Sequence, residues 1–319
     1  MALSAWLEQP VSRRTGRPQQ ADKSREAIGR PEIPGPIKFV PVHPLLTEIV
    51  ERITDWDIPD GKVARAITPR VLPSTTFHLI AQYRVPMRSD RHFGSAGYRH
   101  RQYGHVVSAP RTGVVTVRPS GPLGAVIVRL KPEAAARLVG DRMQEFVNEK
   151  INLSDLFNAG DVSLLEEMLM EASDSATRFA RIESFLLRNL RQRQPDSLVS
   201  RAAQYLRRNP ALRVRRLAAQ LDVGERHLSR SFRAMFGAGP KQFARVARIE
   251  KIFAMRQAGS AWAEIAYACG FADQAHMIND FDAIVGETPQ QFFRPTELGV
   301  DSEGNALVGQ FAGADFFEA

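Results

Sequence analysis

A degenerate repeat near the C-terminus constrains this chain more than any other feature. The run Phe232-Arg233-Ala234-Met235-Phe236-Gly237-Ala238-Gly239-Pro240-Lys241-Gln242-Phe243 returns as Phe281-Asp282-Ala283-Ile284-Val285-Gly286-Glu287-Thr288-Pro289-Gln290-Gln291-Phe292. The offset is 49 throughout (281 against 232, 292 against 243). Upstream, His227-Leu228 matches His276-Met277 at the same offset, whereas Leu217-Ala218 matches Ile265-Ala266 at 48, one residue having been gained in the second turn. Two copies of one supersecondary unit are present, and each reads as helix-turn-helix.

In the first copy Val214, Leu217, Ala218 and Leu221 fall at i, i+3, i+4 and i+7, one apolar helical face. Asp222-Val223-Gly224 breaks the period. A second helix is expected from Glu225 to Phe236, burying Leu228, Phe232 and Met235 and presenting Arg226, Ser229, Arg230 and Arg233 on its other face. In the second copy the first helix spans Ala261 to Cys269, Gly270 marks the turn, and Asp273 is suited to cap a helix that buries Met277 and Phe281. Pro240 opens a long connecting helix, about 240 to 257.

The residues Arg226-His227-Leu228-Ser229-Arg230-Ser231-Phe232, Gly237-x-x-Pro240, Ile265-Ala266-Tyr267-x-x-Gly270-Phe271-x-Asp273-Gln274 and Gly286-x-Thr288-Pro289-x-x-Phe292 resemble the AraC/XylS-type transcription regulators over about residues 198 to 294. The resemblance implies that double-stranded DNA is the partner. It implies too that the second helix of each unit enters successive major grooves, in keeping with recognition helices set ~34 Å apart. The DNA-contacting residues are then expected to be Arg226, Ser229, Arg230 and Arg233 in the first unit, and Gln274, His276 and Asn279 in the second. Where the family commonly has basic residues, this chain has Asn279 and Asp282. Asp280 and Asp282 set two carboxylates near a surface expected to face phosphate, so the second unit is expected to bind more weakly.

The net charge of +8 does not locate this surface by itself. Residues 196–294 carry 15 Lys and Arg against nine Asp and Glu, residues 295–319 carry none against five, and the rest of the chain is also basic. Clustering is more informative: Arg207-Arg208, Arg213-x-Arg215-Arg216 and Arg226-x-x-x-Arg230-x-x-Arg233 would each release several counterions on meeting phosphate. The ordinary role of such arginines is a solvated helix face. The single cysteine, Cys269, rules out an intramolecular disulfide and a Cys-based zinc site. No apolar run is long enough to span a bilayer and no secretory leader is evident, so a cytoplasmic protein with no membrane partner is expected.

The chain is expected to divide into a disordered arm (1–35), a sensor or dimerisation domain (36–193), the DNA-binding domain (196–294) and a flexible acidic tail (295–319). In the second of these a helix is expected over His43 to Asp55. Strands are expected at Val63–Ile67, Thr76–Tyr83, His105–Ala109, Val114–Arg118 and Ala125–Leu130, with a polar loop over Arg88 to Tyr103. Helices follow from Pro132 through Val139 and over about 162–173 and 175–193. The fold class is therefore α+β and multidomain, a small β-barrel or sandwich with helices followed by an all-α double helix-turn-helix. The stretch Arg118 to Leu138 with Leu153-x-Asp155-Leu156 resembles, more loosely, the N-terminal domain ahead of some AraC-like regulators. That resemblance implies a cupin-like barrel that senses a small-molecule effector or forms a homodimer. For an activator, RNA polymerase would be a further partner.

Five of the seven histidines (His43, His78, His92, His100 and His105) lie in this domain; His100 and His105 are five apart, but no Asp or Glu follows them until Glu133, and no metal or other cofactor is expected. There is no nucleophile elbow, phosphate loop or dinucleotide fingerprint. A non-enzymatic regulator is the reading adopted. The competing readings are a barrel enzyme carrying a DNA-binding domain and an architectural DNA binder without a ligand.

Overall fold

A computed structural model describes residues 37–67, 70–91, 100–102, 105–108, 113–139, 150–191 and 197–293. The arms expected at 1–35 and 295–319, together with His92, lie outside the described residues.

The N-terminal part holds two antiparallel sheets. The first has the order β1 (Ile37–Phe39), β2 (Val50–Ile58), β9 (Leu123–Leu130), β4 (Phe77–Gln82), β7 (Val106–Ser108), β10 (Lys150–Asn152). The second has the order β3 (Arg70–Val71), β8 (Val115–Arg118), β5 (Arg88–Arg91), β6 (His100–Gln102). Of the barrel or sandwich expected here, the described strands form two separate sheets and not a closed barrel. The central strand β9 is buried along its whole length and pairs Val128 with Ile53 on one side and Leu79 on the other.

Alternation along β9 sorts two cores, because successive side chains leave opposite faces. Val126, Val128 and Leu130 join Ile53, Leu79 and the helices. Leu123, Ala125 and Ile127 join Trp56, Ile58, Met87 and Val117, between the two sheets. The layers are therefore helices, six-stranded sheet and four-stranded sheet. The helical layer contains α1 (Pro44–Thr47), α3 (Ala136–Val139), α4 (Ala159–Glu171) and α5 (Ser175–Arg188), while α2 (Gly61–Ala66) lies on the inter-sheet side.

Three expectations fail here. The helix expected over His43–Asp55 is only the four residues of α1, and Val50 to Asp55 is the start of β2. Its polar residues Arg52, Thr54 and Asp55 are buried, which hides the strand's apolar pattern. The strand expected at Val63–Ile67 is α2, started by the Asp60 carboxylate, which accepts from the backbone N–H of Lys62 and Val63. The stretch expected as a polar loop includes β5 and β6.

Asp55 explains how a polar strand is accommodated. Its carboxylate accepts from Tyr83 Oη at 2.7 Å, Ser175 Oγ at 2.6 Å and Arg178 Nη1 at 3.0 Å. Arg178 also lies 3.1 Å from Asp57 and stacks over the Tyr83 ring at 4.2 Å. Burial, then the hydrogen bond to Asp55, pushes the Tyr83 hydroxyl well above the ordinary tyrosine range. This network fastens α5 to the sheet.

The C-terminal part is all helical: α6 (Ser197–Arg208), α7 (Val214–Gln220), α8 (Glu225–Phe236), α9 (Pro240–Gln257), α10 (Trp262–Ala268), α11 (Gln274–Val285) and α12 (Pro289–Phe292). Helices α7 to α11 match the expected ones closely, with Pro240 opening α9, while α6 and α12 are additional. The core does not break between the two parts. Val199, Ala202, Ala203 and Leu206 of α6 carry it from the sheet into Leu217, Leu228, Phe232 and Phe243. Leu72 and Val114, from the β-rich part, are members of the core of the second helix-turn-helix unit.

Candidate nucleic-acid interface

Each unit presents its second helix by burying one side of it. In the first, Leu228, Phe232, Met235 and Phe236 of α8 are buried. Phe232, Phe236 and Phe243 form an aromatic triad with centroids 4.6, 5.1 and 4.9 Å apart. In the second, Met277, Phe281, Ile284 and Val285 of α11 are buried, and Phe281 meets Phe253 of α9 at 5.4 Å. Cys269 packs beneath this helix, where burial pushes its thiol up to about 11.

The turns repeat as well. Gly237 and Gly286, 49 apart, end α8 and α11 in left-handed conformations with φ of 68° and 85°. Gly270 turns between α10 and α11 at φ 73°, and its counterpart at the earlier offset of 48 is Asp222, φ 54°. Asp is among the few side chains that enter this region. A Cβ on Gly270 would come within 2.3 Å of the Ala211 Cβ, so the second turn also needs a bare α-carbon. Helix starts differ: Gly224 caps α8 without a side-chain bond, while Asp273 accepts from the His276 N–H at 2.7 Å.

The exposed side of α8 is an open, shallow surface formed by Glu225, Arg226, Ser229, Arg230 and Arg233. Four of these are the first-unit residues singled out in the sequence. Glu225 was not among them, although its position in the first turn, next to the helix's positive end, suits a carboxylate. Adding 49 to the five positions gives Gln274, Ala275, Ile278, Asn279 and Asp282, all exposed on α11. Gln274 and Asn279 therefore occupy the corresponding face. His276 is exposed on the flank of that face, with its ring edge-on to Phe271 at 5.3 Å.

Asp280 departs from expectation. Its carboxylate turns toward α9, where it accepts from Arg245 Nε at 2.5 Å and lies 4.0 Å from Arg248. Arg248 is in turn stacked over the Phe271 ring at 4.8 Å. Asp280 thus anchors α11 to α9 and is not one of the two carboxylates facing outward. Asp282 is exposed.

In the β-rich part both ring nitrogens of His105 are engaged: Nδ1 accepts from the Gln82 N–H at 3.1 Å and Nε2 lies 3.2 Å from Glu166. Among the described residues no group of three His, Cys, Asp or Glu could hold a metal ion. No helix of the described residues is long and apolar enough to cross a membrane.

Residues 217–295 match a family described as a helix-turn-helix domain. Residues 38–152 match a family described as a domain of unknown function, DUF6597. No curated protein matches the chain. Among solved structures, ToxT from Vibrio cholerae is 11% identical with a TM-score of 0.41, the match covering 75% of this chain and 96% of that one. The C-terminal domain of AraT, a response regulator from Geobacillus stearothermophilus, is 25% identical with a TM-score of 0.29, covering 30% of this chain and 84% of that one.

Proposed function

We propose that the chain is a sequence-specific DNA-binding transcription regulator whose N-terminal sheet domain responds to a small-molecule effector. The observation that carries the reading is the repeated presentation of one exposed helix face, on α8 and again on α11, each held by the same buried apolar positions and the same left-handed glycine. In this reading Arg226, Ser229, Arg230 and Arg233 contact DNA from α8. Gln274 and Asn279 do so from α11, with His276 at its flank. Arginine suits a bidentate contact to guanine O6 and N7, and the basic cluster gives phosphate affinity.

Control by the N-terminal part is supported by its contacts with both units. Its core runs through α6 into the first, and Leu72 and Val114 enter the second. An effector that favours one arrangement of the sheet domain can shift DNA binding only if it distinguishes the two states. The test is fluorescence anisotropy of the full chain on duplexes selected from a random pool. Arg226→Ala and Arg230→Ala should each weaken binding by about 1–3 kcal/mol, and a metabolite screen should find a compound that changes the affinity. Unchanged affinity in both variants would remove the DNA-reading role, and a screen without effect would remove the sensing role.

A further inference from the structure

We infer that the two helix-turn-helix units read chemically different half-sites, α8 a guanine-containing one and α11 an A·T one, so that the operator is asymmetric in base composition. The inference rests on the DNA-binding reading above and deepens it.

The argument comes from matching positions. Glu225, Arg226, Ser229, Arg230 and Arg233 form the open face of α8. Their partners at the constant offset are Gln274, Ala275, Ile278, Asn279 and Asp282. All five of those partners are exposed, Ile278 by 37%. The first face carries three arginines and one carboxylate, the second no cation and one carboxylate. Geometry is shared and chemistry is not.

Major-groove edges translate this difference directly. Guanine offers two acceptors, N7 and O6, which suit the donor fork of Arg226 or Arg230, and cytosine offers an N4 donor that a carboxylate such as Glu225 can accept. Adenine offers N7 as acceptor and N6 as donor, which suit a side-chain amide, and both Gln274 and Asn279 carry one. Thymine presents a methyl group, which suits the apolar surfaces of Ala275 and Ile278. An apolar and amide face cannot satisfy the two acceptors of guanine as an arginine does. The nearby Asp280 does not alter this assignment, because Arg245 holds it away from the face.

The experiment is selection of binding duplexes from a random pool by the full-length protein, repeated with Arg230→Ala, Asn279→Ala and Asn279→Arg. The parent should enrich a guanine-containing block and an A·T block about one helical turn apart. Arg230→Ala should flatten the guanine preference by about 10- to 100-fold and leave the other block intact. Asn279→Ala should flatten an adenine position by a similar factor, and Asn279→Arg should convert that position to guanine. Thermal melts of the variants check that each is folded. If no duplex is enriched by the parent, the DNA-binding reading itself falls. If the parent enriches a motif with G·C in both blocks, or if neither Asn279 variant changes the second block, DNA binding stands and the asymmetric assignment is overturned.

Discussion

The carboxylate of Glu250 holds Thr75 by two bonds, accepting from its backbone N–H at 2.9 Å and from its hydroxyl at 2.8 Å. Ser74 Oγ donates to the same carboxylate at 3.1 Å and is itself within 2.7 Å of Thr76 Oγ1. Glu250 belongs to α9, the helix that joins the two reading units, whereas Ser74–Thr76 directly precede β4 of the six-stranded sheet. The three hydroxyl residues are almost wholly buried. A residue outside both recognition helices therefore fastens the sheet domain to the spacer between them.

Glu250→Ala should accordingly destabilise the protein by about 2–3 kcal/mol, because Thr75 would keep a buried N–H and hydroxyl with no acceptor. Chemical denaturation would read the loss. Native-state hydrogen exchange should show the Thr75 amide deprotected more strongly than amides of α8, whose core does not include this contact. Uniform deprotection, or none, would show that the clamp does not hold the two parts together.

The two turns make opposite predictions at matching positions. Gly270→Ala places a Cβ against Ala211 and forces a side chain into φ 73°, so a loss of about 2–4 kcal/mol is expected. Asp222→Gly relieves the same conformation where no side chain is required, so a gain of about 0.5–1 kcal/mol is expected. Denaturant midpoints of the two variants settle both signs.

How much of this was legible in the sequence depended on the distance over which each constraint acts. In the C-terminal part the signals are local: Asp273 caps, Pro240 starts a helix, Gly237 and Gly286 stop them, and the apolar period is undisturbed. Helices α7 to α11 lie within a residue or two of the bounds these signals predict. β2 was read as helix because Arg52, Thr54 and Asp55 interrupt its alternation. The residue that makes Asp55 tolerable in a core, Arg178, lies 123 positions away. Val63 and Ile67 suggested a strand, yet the Asp60 cap dictates a helix. Asp280 was read as facing phosphate because its partner, Arg245, is 35 positions away. The face of α11 was half legible: Gln274 and Asn279 stood out as polar, while Ala275 and Ile278 carry no signal until the open face of α8 marks their counterparts.

The two neighbouring aspartates of α11 should separate cleanly. Asp282→Lys adds a cation to an exposed position matching Arg233, so DNA binding should strengthen and its salt dependence should steepen by about one phosphate contact. Asp280→Ala removes the partner of Arg245, so it should lower stability by about 1–2 kcal/mol and weaken binding by loosening α11. Anisotropy across a salt series, paired with thermal melts, distinguishes the outcomes. An equal gain in DNA affinity from both changes would mean that Asp280 faces the DNA after all.

Tyr83 sets the alkaline limit of the sheet domain. Its hydroxyl donates to Asp55 at 2.7 Å, with the Trp56 carbonyl 3.0 Å away, and burial beside that carboxylate raises its pKa. The folded protein therefore keeps the proton that the unfolded chain releases at about pH 10. Below that pH both states hold the proton and the contribution to stability is fully present. As pH rises further the unfolded state alone loses it, and stability falls. Tyr83→Phe gives up the hydrogen bond to the buried Asp55 carboxylate and should cost about 1–3 kcal/mol at neutral pH. Its stability should then fall less steeply than the parent's above about pH 10, by the share of one proton. Denaturant titrations across this range test the slope, and ultraviolet difference absorbance counts ionised tyrosines. The chain has five tyrosines, and the native parent and the variant should show the same ionisation amplitude, because Tyr83 contributes none while folded. A larger amplitude in the native parent would show that the hydroxyl ionises in place and that the network does not protect it.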